Sequence, residues 1–444
     1  MKDNFQKYYQ AVKYLESLNR LPQEDYLVKK NGRQIFLKRL KYFLKLLGNP
    51  QQNLKYIHVG GTSGKGSVAA MIQSILTEAG FRAGLFTSPF CTTSIEKIKV
   101  GNLLISSAEF TKIVDELKPK IDLCYQKSPF GRPSYFEVFV AIALIYFKQK
   151  KCDYAVLEVG LGGRFDATNI IPTPTITVIN VVDYDHTEIL GKTLTAIAKE
   201  KAAIIKPKTI FFTPSQNTKV LKILKTFCQK NQAEFNLVSE TDYHYSTNLL
   251  GSHQQKNAAL ATAVCQKLKI NETKIRLCLK KVKLPCRLEI IRRKPLVILD
   301  GAHNISKMKT TAEFINNLTN STSSGSTRSG IKELTYQKLY LIIGLTNQRS
   351  PSQIFGQIKN LADYIFVTRY QSNAKRCYPP KKLAKKLKAK KPTRIFLDAE
   401  LALKEAIKKA KGNDLILVSC SLYLAGEIRN TWRSESAILK ERKI

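Results

Sequence analysis

The sequence predicts an α/β protein with mainly parallel sheet and helices on both faces. Three observations carry this expectation. Strand-like runs alternate with helix-like runs over most of the chain, the pattern of parallel strands joined by crossover helices. A glycine-rich turn joins an early strand-like run to an early helix-like run. The chain has 444 residues, 43% of them hydrophobic, enough for two or three domains at about 150 residues each and for buried cores.

The elements follow in order. Lys55–Val59 is a short β-rich run. In Ser67–Ala79, Val68, Met71, Ile72, Ile75, Leu76 and Ala79 recur at helical spacing and Gly80 supplies a stop. Ala83–Phe86 reads as the next strand. Ser106 followed by Glu109 makes a capping box for a helix ending near Leu117. Tyr135–Gln149 is an apolar helix, Asp153–Val159 a buried strand, Thr175–Val181 a strand and Thr193–Ile204 a helix. After Pro285 the alternation restarts with Leu296–Leu299, then Leu339–Ile343, Tyr364–Thr368, Arg394–Leu397 and Asp414–Val418. Asn316–Gly330 is polar, Gly/Ser-rich and without apolar period, and reads as a surface insertion. A boundary near residues 287–295 divides the chain into 1–290 and 291–444.

Composition narrows the function classes. The longest apolar run, Val138–Phe147, is ten residues, about half a membrane span, and the N-terminus MKDNFQKYYQ shows no secretory apolar core. Nine scattered cysteines without a CxxC pair argue against structural zinc or disulfides and for a reducing, cytoplasmic setting. The charge is unusual: 73 Lys+Arg against 34 Asp+Glu, a net +39. Such a balance suits polyanions or anionic small molecules. The basic residues are spread along the chain, however, and within the densest stretch, Lys375–Lys411, the segment PPKKLAKKLKAKK lacks aromatics for base stacking beyond the flanking Tyr378. A lysine-rich bias therefore explains the charge better than nucleic-acid binding.

The turn is HVGGTSGKGS, residues 58–67. Its backbone N–H groups stand at a helix N-terminus, where phosphates bind, and Lys65 adds a mobile charge. The strict G-x-x-x-x-G-K-[ST] pattern is not met. The shorter G-T-x-G-K-G-S is, through Gly61, Thr62, Ser63, Gly64, Lys65, Gly66 and Ser67. Further on, Glu158 ends an apolar strand and His186 follows the next one. Both stand where ligands bind in such sheets and suit a Mg²⁺ bridging phosphate oxygens, though His is an uncommon ligand for it. Lys201, among neighbouring lysines, reads by itself as a surface residue.

Together these segments resemble the folylpolyglutamate synthase/dihydrofolate synthase family of the Mur ligase superfamily. The matching residues run in order: LLGNPQ (46–51), HVGGTSGKGS, TSP (87–89), SYFE (134–137), VLEVGLGGRFDATN (156–169), DHTEILG (185–191), EKAAIIKP (200–207), GSHQQKNAALA (251–261), LPCRLE (284–289), ILDGAHN (298–304) and LVSCSLYLAGEIR (417–429). The resemblance implies a P-loop, Mur-ligase-type ATPase domain, a smaller Rossmann-like C-terminal α/β domain and a site between them. It implies an ADP-forming ligase of folate metabolism that joins L-glutamate to a folate or dihydropteroate through an acyl phosphate. The loop with Lys65 would hold ATP, Asn257 the adenine, Arg287 the phosphates and Asp300 the ribose or phosphates, with His303 beside the nucleotide. Ser88, Glu158 and His186 would ligate Mg²⁺. Lys201 matches a lysine that such enzymes carbamylate. Thr87, Ser134, Phe165, Asp166 and Ala167 fall at the pterin side. A monomer is expected.

Several positions depart from the family pattern. Ser63 replaces Asn, Phe90 replaces the His after TSP, Asn347-Gln348 replaces Asp-Lys, Ile305 replaces Pro and Cys420 replaces Gly. The departures bear on acceptor choice more than on reaction type. Two rival readings stay open at this point: a related ligase for a non-folate carboxylate, and a nucleotide-binding derivative that has lost turnover and binds RNA.

Overall fold

The computed structural model describes residues 5–18, 32–319, 334–347, 349–371 and 376–443. Their strands form two sheets. The first has eight strands: β1 (Lys55–Gly60), β2 (Ala83–Phe86), β3 (Ile98–Val100), β4 (Leu103–Leu104), β5 (Tyr154–Glu158), β6 (Ile176–Ile179), β7 (Ile210–Pro214) and β8 (Glu234–Val238), in the order β4-β3-β2-β5-β1-β6-β7-β8. Only the β2–β3 and β3–β4 pairings are antiparallel. The second sheet has six strands: β9 (Glu289–Arg293), β10 (Leu296–Leu299), β11 (Leu339–Ile343), β12 (Tyr364–Val367), β13 (Thr393–Ile395) and β14 (Leu415–Ser419), in the order β13-β12-β11-β14-β10-β9. There β9 alone runs antiparallel.

In the first sheet β1 lies between β5 and β6, with Val59 level with Glu158 and Gly60 level with Ile179. The carboxyl ends of three central strands thus open side by side, the crevice where α/β sheets take ligands. These strands read as continuous apolar runs because helices cover both faces. The helix Lys65–Glu78 packs with the helices His253–Lys267 and Glu272–Leu279 on one face. The apolar run Val138–Phe147 is the core of a 15-residue helix, Tyr135–Gln149. No helix of the described residues is long and apolar enough to cross a membrane.

That helix is anchored by charge. Ser134 and Glu137 form its capping box, and the same Glu137 carboxylate takes two hydrogen bonds from Arg39, at 2.8 and 2.9 Å. Arg39 belongs to the helix Gln34–Leu46, so one buried ion pair joins two helices.

Three expectations are corrected. The helix capped by Ser106 continues ten residues past Leu117, to Lys127 and through Pro119. Ile121 and Cys124 keep its apolar face buried, and tertiary packing outweighs the hydrogen bond proline removes. The strand expected at Arg394–Leu397 is Thr393–Ile395, an edge of three exposed residues pairing only with β12. The polar stretch expected to begin as a loop at Asn316 is helical through Thr319, the end of the helix Ile305–Thr319. The rest of that stretch lies outside the described residues, as does Gln348.

Candidate active site

The glycine-rich turn leaves β1 and enters the helix Lys65–Glu78. Gly64, at the helix N-cap, has φ +75°, a left-handed conformation that favours glycine, and a Cβ there would stand 2.5 Å from the Asn257 Oδ1. At Gly66 a Cβ would meet Glu158 Oε2 at 3.2 Å, so the absence of a side chain lets the carboxylate lie against the loop. No side chain caps this helix, which leaves its first N–H groups facing the crevice. The Ser63 Oγ is buried without a hydrogen-bond partner.

Neighbouring strands fix the loop. The Thr62 N–H donates to the Val181 carbonyl (2.7 Å) and its hydroxyl to the Asp183 carbonyl (3.0 Å), both just past β6. The Lys201 ammonium donates to the Gly61 carbonyl at 2.8 Å. Read from sequence as a surface residue, Lys201 is only 4% exposed. Burial, together with the positive charge of Lys65, pushes its pKa down to about 7. Glu158, at the end of β5, is 7% exposed and accepts a hydrogen bond from the Ser88 N–H at 3.0 Å. Burial raises its pKa, and Lys65 and that hydrogen bond draw it back.

The second sheet contributes from across the crevice. Asp185 accepts from Arg349 Nη1 at 2.6 Å and from Asn304 Nδ2 at 2.9 Å. Burial opposes ionisation, yet the charges of His186 and Arg349 hold this carboxyl well below its usual range. His186 heads the short helix Thr187–Leu190 with φ +49°, and its Nε2 lies 3.4 Å from Arg349 Nη2. His303 Nδ1 lies 2.8 Å from the Gly301 carbonyl, and its Nε2 lies 3.3 Å from Lys307 Nζ. The Lys307 charge, then burial, lowers the His303 pKa well below normal. Arg287 reaches into the same field, its Nη1 at the position a Cβ on Gly301 would crowd (2.5 Å).

Other expected residues are engaged by the fold itself. The Asp300 carboxylate accepts from the Leu288 N–H, the Ala302 N–H and the Thr311 hydroxyl, at 3.3, 3.1 and 2.7 Å. Asn257 stands beside Gly64, accepting from Asn180 at 2.8 Å and donating to Gln254 at 3.0 Å. On the expected pterin side, the Asp166 carboxylate accepts from the Leu161 N–H and from the Thr168 N–H and hydroxyl, and Ser134 caps its helix. The Thr87 N–H donates to the Lys97 carbonyl at 3.0 Å. Phe165 is half-buried and Ala167 buried. Phe90, which departs from the family pattern, lies 5.1 Å from the Lys97 ammonium; the Phe139 and Tyr135 rings enclose that ammonium more closely, at 3.6 and 4.3 Å.

Sequence reasoning gave no role to Asp185, Lys307 or Arg349. Asp185 precedes a histidine in a motif already singled out. Lys307 and Arg349 carry no local signal, being two cations among 73.

A phosphate-type loop, a buried carboxylate and lysine behind it, and cations supplied from a second sheet make a crevice suited to a nucleotide's phosphates. The Mur ligase middle domain model matches residues 59–224, and the dihydrofolate synthetase C-terminal domain model matches residues 286–431. The chain is 31% identical over 424 residues to the dihydrofolate synthase/folylpolyglutamate synthase of Bacillus subtilis, covering 88% of this chain and 94% of that protein. It is 33% identical over 326 residues to the folylpolyglutamate synthase of Lacticaseibacillus casei, 67% of this chain and 74% of that one. Folylpolyglutamate synthase from Thermotoga maritima superposes with a TM-score of 0.78 at 29% identity, over 98% and 99% of the two chains. The Mycobacterium tuberculosis enzyme, solved with ADP and AMPPCP, gives 0.79 at 27% identity over 89% and 95%. The chain belongs to the dihydrofolate synthase/folylpolyglutamate synthase family.

Proposed function

We propose that the protein is an ADP-forming ligase that joins L-glutamate to the carboxylate of a folate or dihydropteroate. A carboxylate is a poor acyl donor because its oxygen leaves badly. Transfer of the γ-phosphoryl group of ATP makes an acyl phosphate, the glutamate amine attacks the acyl carbon, and phosphate departs. Most of the work is positioning and charge neutralisation. The observation that carries this reading is the loop itself: uncapped helix N–H groups, the unpartnered Ser63 hydroxyl and Lys65 beside a buried Glu158. Asn257, Arg287, Asp300 and His303 belong to the same nucleotide site in this proposal, and Thr87, Ser134, Phe165, Asp166 and Ala167 to the acceptor side. Its two units divide near residues 287–295, where β9 (Glu289–Arg293) begins the second sheet.

Mg²⁺ fits the donor set. A buried carboxylate whose pKa is raised by desolvation calls for a cation, and the Ser88 backbone already touches it. Among the described residues no three His, Cys, Asp or Glu side chains gather as a metal cage. Mg²⁺ keeps several waters and binds through one or two protein groups plus phosphate oxygens. Glu158, Ser88 and His186 would hold it, and when bound it neutralises charge on the phosphates. Lys201, with its pKa near 7, has at neutral pH the uncharged amine that carbamylation by CO₂ requires.

The test offers ATP, Mg²⁺ and glutamate with dihydropteroate or tetrahydrofolate separately, and identifies products by mass. ADP and a product extended by one glutamate are expected from at least one acceptor. Lys65→Ala should lower turnover by ~10²–10³, as for losing one preorganised electrostatic group. Ligation undiminished in that variant would remove Lys65 from the mechanism.

A further inference from the structure

We propose that Lys307 is a catalytic residue of this ligation: its ammonium, carried by the second unit, binds the phosphoryl group as it passes from ATP to the acceptor carboxylate. The inference rests on the function proposed above and adds a residue that lies in none of the sequence motifs.

Lys307 occupies the first turn of the helix Ile305–Thr319, and neighbouring groups fix it from two sides. The Asn304 Oδ1 accepts from the Lys307 N–H at 2.9 Å, while the Asn304 Nδ2 donates across the crevice to Asp185 at 2.9 Å. The turn bearing Lys307 is thereby tied to the loop after β6. The side chain is oriented by His303. A carbonyl oxygen only accepts, so the contact of His303 Nδ1 with the Gly301 carbonyl places the imidazole proton on Nδ1. His303 Nε2 then carries a lone pair and accepts from the Lys307 ammonium at 3.3 Å.

One of three N–H donors is used. Among the described residues no carboxylate oxygen lies within ion-pair distance of Lys307. Its charged neighbours are Arg287 and Lys65, which repel it, and Asp185 and Glu158, which attract it. Burial and the two cations push its pKa down to about 7. Lys65, Arg287 and Lys307 thus gather positive charge beside a phosphate loop, with spare N–H donors that suit an oxyanion. In the transfer step the acceptor carboxylate oxygen bonds to the γ-phosphorus, the bond to the β,γ-bridging oxygen breaks, and its electron pair leaves on ADP. Lys307 hydrogen-bonds the equatorial oxygens throughout and gives up no proton.

Two oxyanions enter such a crevice, the γ-phosphoryl group and the glutamate carboxylate, and the experiment separates them. Wild type, Lys307→Gln and Lys307→Arg are titrated with ADP and with the non-hydrolysable ATP analogue AMPPCP in Mg²⁺ by calorimetry, then assayed in steady state. Gln retains a donor for His303, and a melting curve checks each fold. The expected result for Lys307→Gln is ~10-fold weaker AMPPCP binding with ADP affinity within about twofold, and a kcat ~10²-fold lower. Lys307→Arg should recover part of both. A rise in the KM for glutamate with kcat and AMPPCP affinity unchanged puts the ammonium on the amino acid and overturns the proposal. Wild-type values throughout in Lys307→Gln overturn it too. A wild-type protein that binds neither nucleotide would instead sink the underlying function, a distinguishable outcome.

Discussion

Lys201 shows at the scale of one residue how burial changes what a side chain can do. Its ordinary pKa is 10.5, and in the fold it is about 7. Between those values the unfolded chain holds the proton that the native state lacks, so this residue's contribution to stability improves as pH climbs from 7 to 10.5. Below about 7 both states are charged and the cost of burying the ammonium is complete. Lys201→Met removes that titration. In bicarbonate-free buffer, the gain in urea midpoint of Lys201→Met over wild type should be largest near pH 6 and shrink steadily toward pH 10. A gain that stays constant across the range would mean that Lys201 titrates normally. The residue's importance was legible only through the motif EKAAIIKP, since spacing and composition made it a surface lysine. Lys65 and Glu158 were legible from chemistry alone, because a lysine in a glycine-rich turn and a carboxylate ending an apolar strand each need a partner. Lys307 and Arg349 were not, because Arg349 meets an acid distant in sequence and Lys307 meets a histidine rather than an acid.

At the scale of elements, periodicity located several pieces to the residue. Ala83–Phe86, Tyr135–Gln149, Leu296–Leu299 and Leu339–Ile343 occur with the expected ends. The three strands are apolar throughout, and the helix is apolar from Val138 to Phe147 between a capping box and a polar end. The short antiparallel edge of β3 and β4 gave no such signal, having five residues in two strands, and the helix through Pro119 shows packing overriding a local breaker. The Arg39–Glu137 pair is the tie that periodicity could not reveal. It joins the helix Gln34–Leu46 to the helix that Ser134 caps, with side chains only 8% and 4% exposed. Removing one partner strands a buried charge, at a cost of about 3–5 kcal/mol, whereas replacing both by apolar groups costs far less. Denaturant unfolding of Arg39→Met, Glu137→Leu and the double variant tests this. Each single change should lower stability by about 3–5 kcal/mol, and the double variant should recover most of that loss. Additive losses would show two independent contacts rather than one pair.

At the scale of the molecule, two sheets are held against each other, and the C-terminal helix Glu435–Glu441 buries Ile438 and Leu439 in the core beside the first of them. Arg442 ties the same C-terminal segment to Leu104 and Glu109, and two further contacts bear on the crevice. At one, Arg349 and Asn304 grip Asp185. At the other, the helix Leu422–Arg429 presses Gly426 onto the backbone of Cys91, just past Ser88, so closely that any Cβ on Gly426 would overlap the Cys91 carbonyl oxygen. This second contact makes an opposed prediction. Alanine favours a helix interior over glycine by about 1 kcal/mol, so Gly426→Ala should strengthen its own helix. The neighbour it meets is main chain, which cannot swing away as a side chain would, so the units must separate to admit the methyl group. Small-angle scattering should then report a larger radius of gyration than wild type, and ligation should fall at least ~10-fold, since ~1 Å misplacement of reacting groups costs about 10² in rate. Helical content by circular dichroism should be unchanged. A Gly426→Ala protein as compact and as active as wild type would mean that the Cys91 loop yields freely and that the close approach does not set how the two units dock.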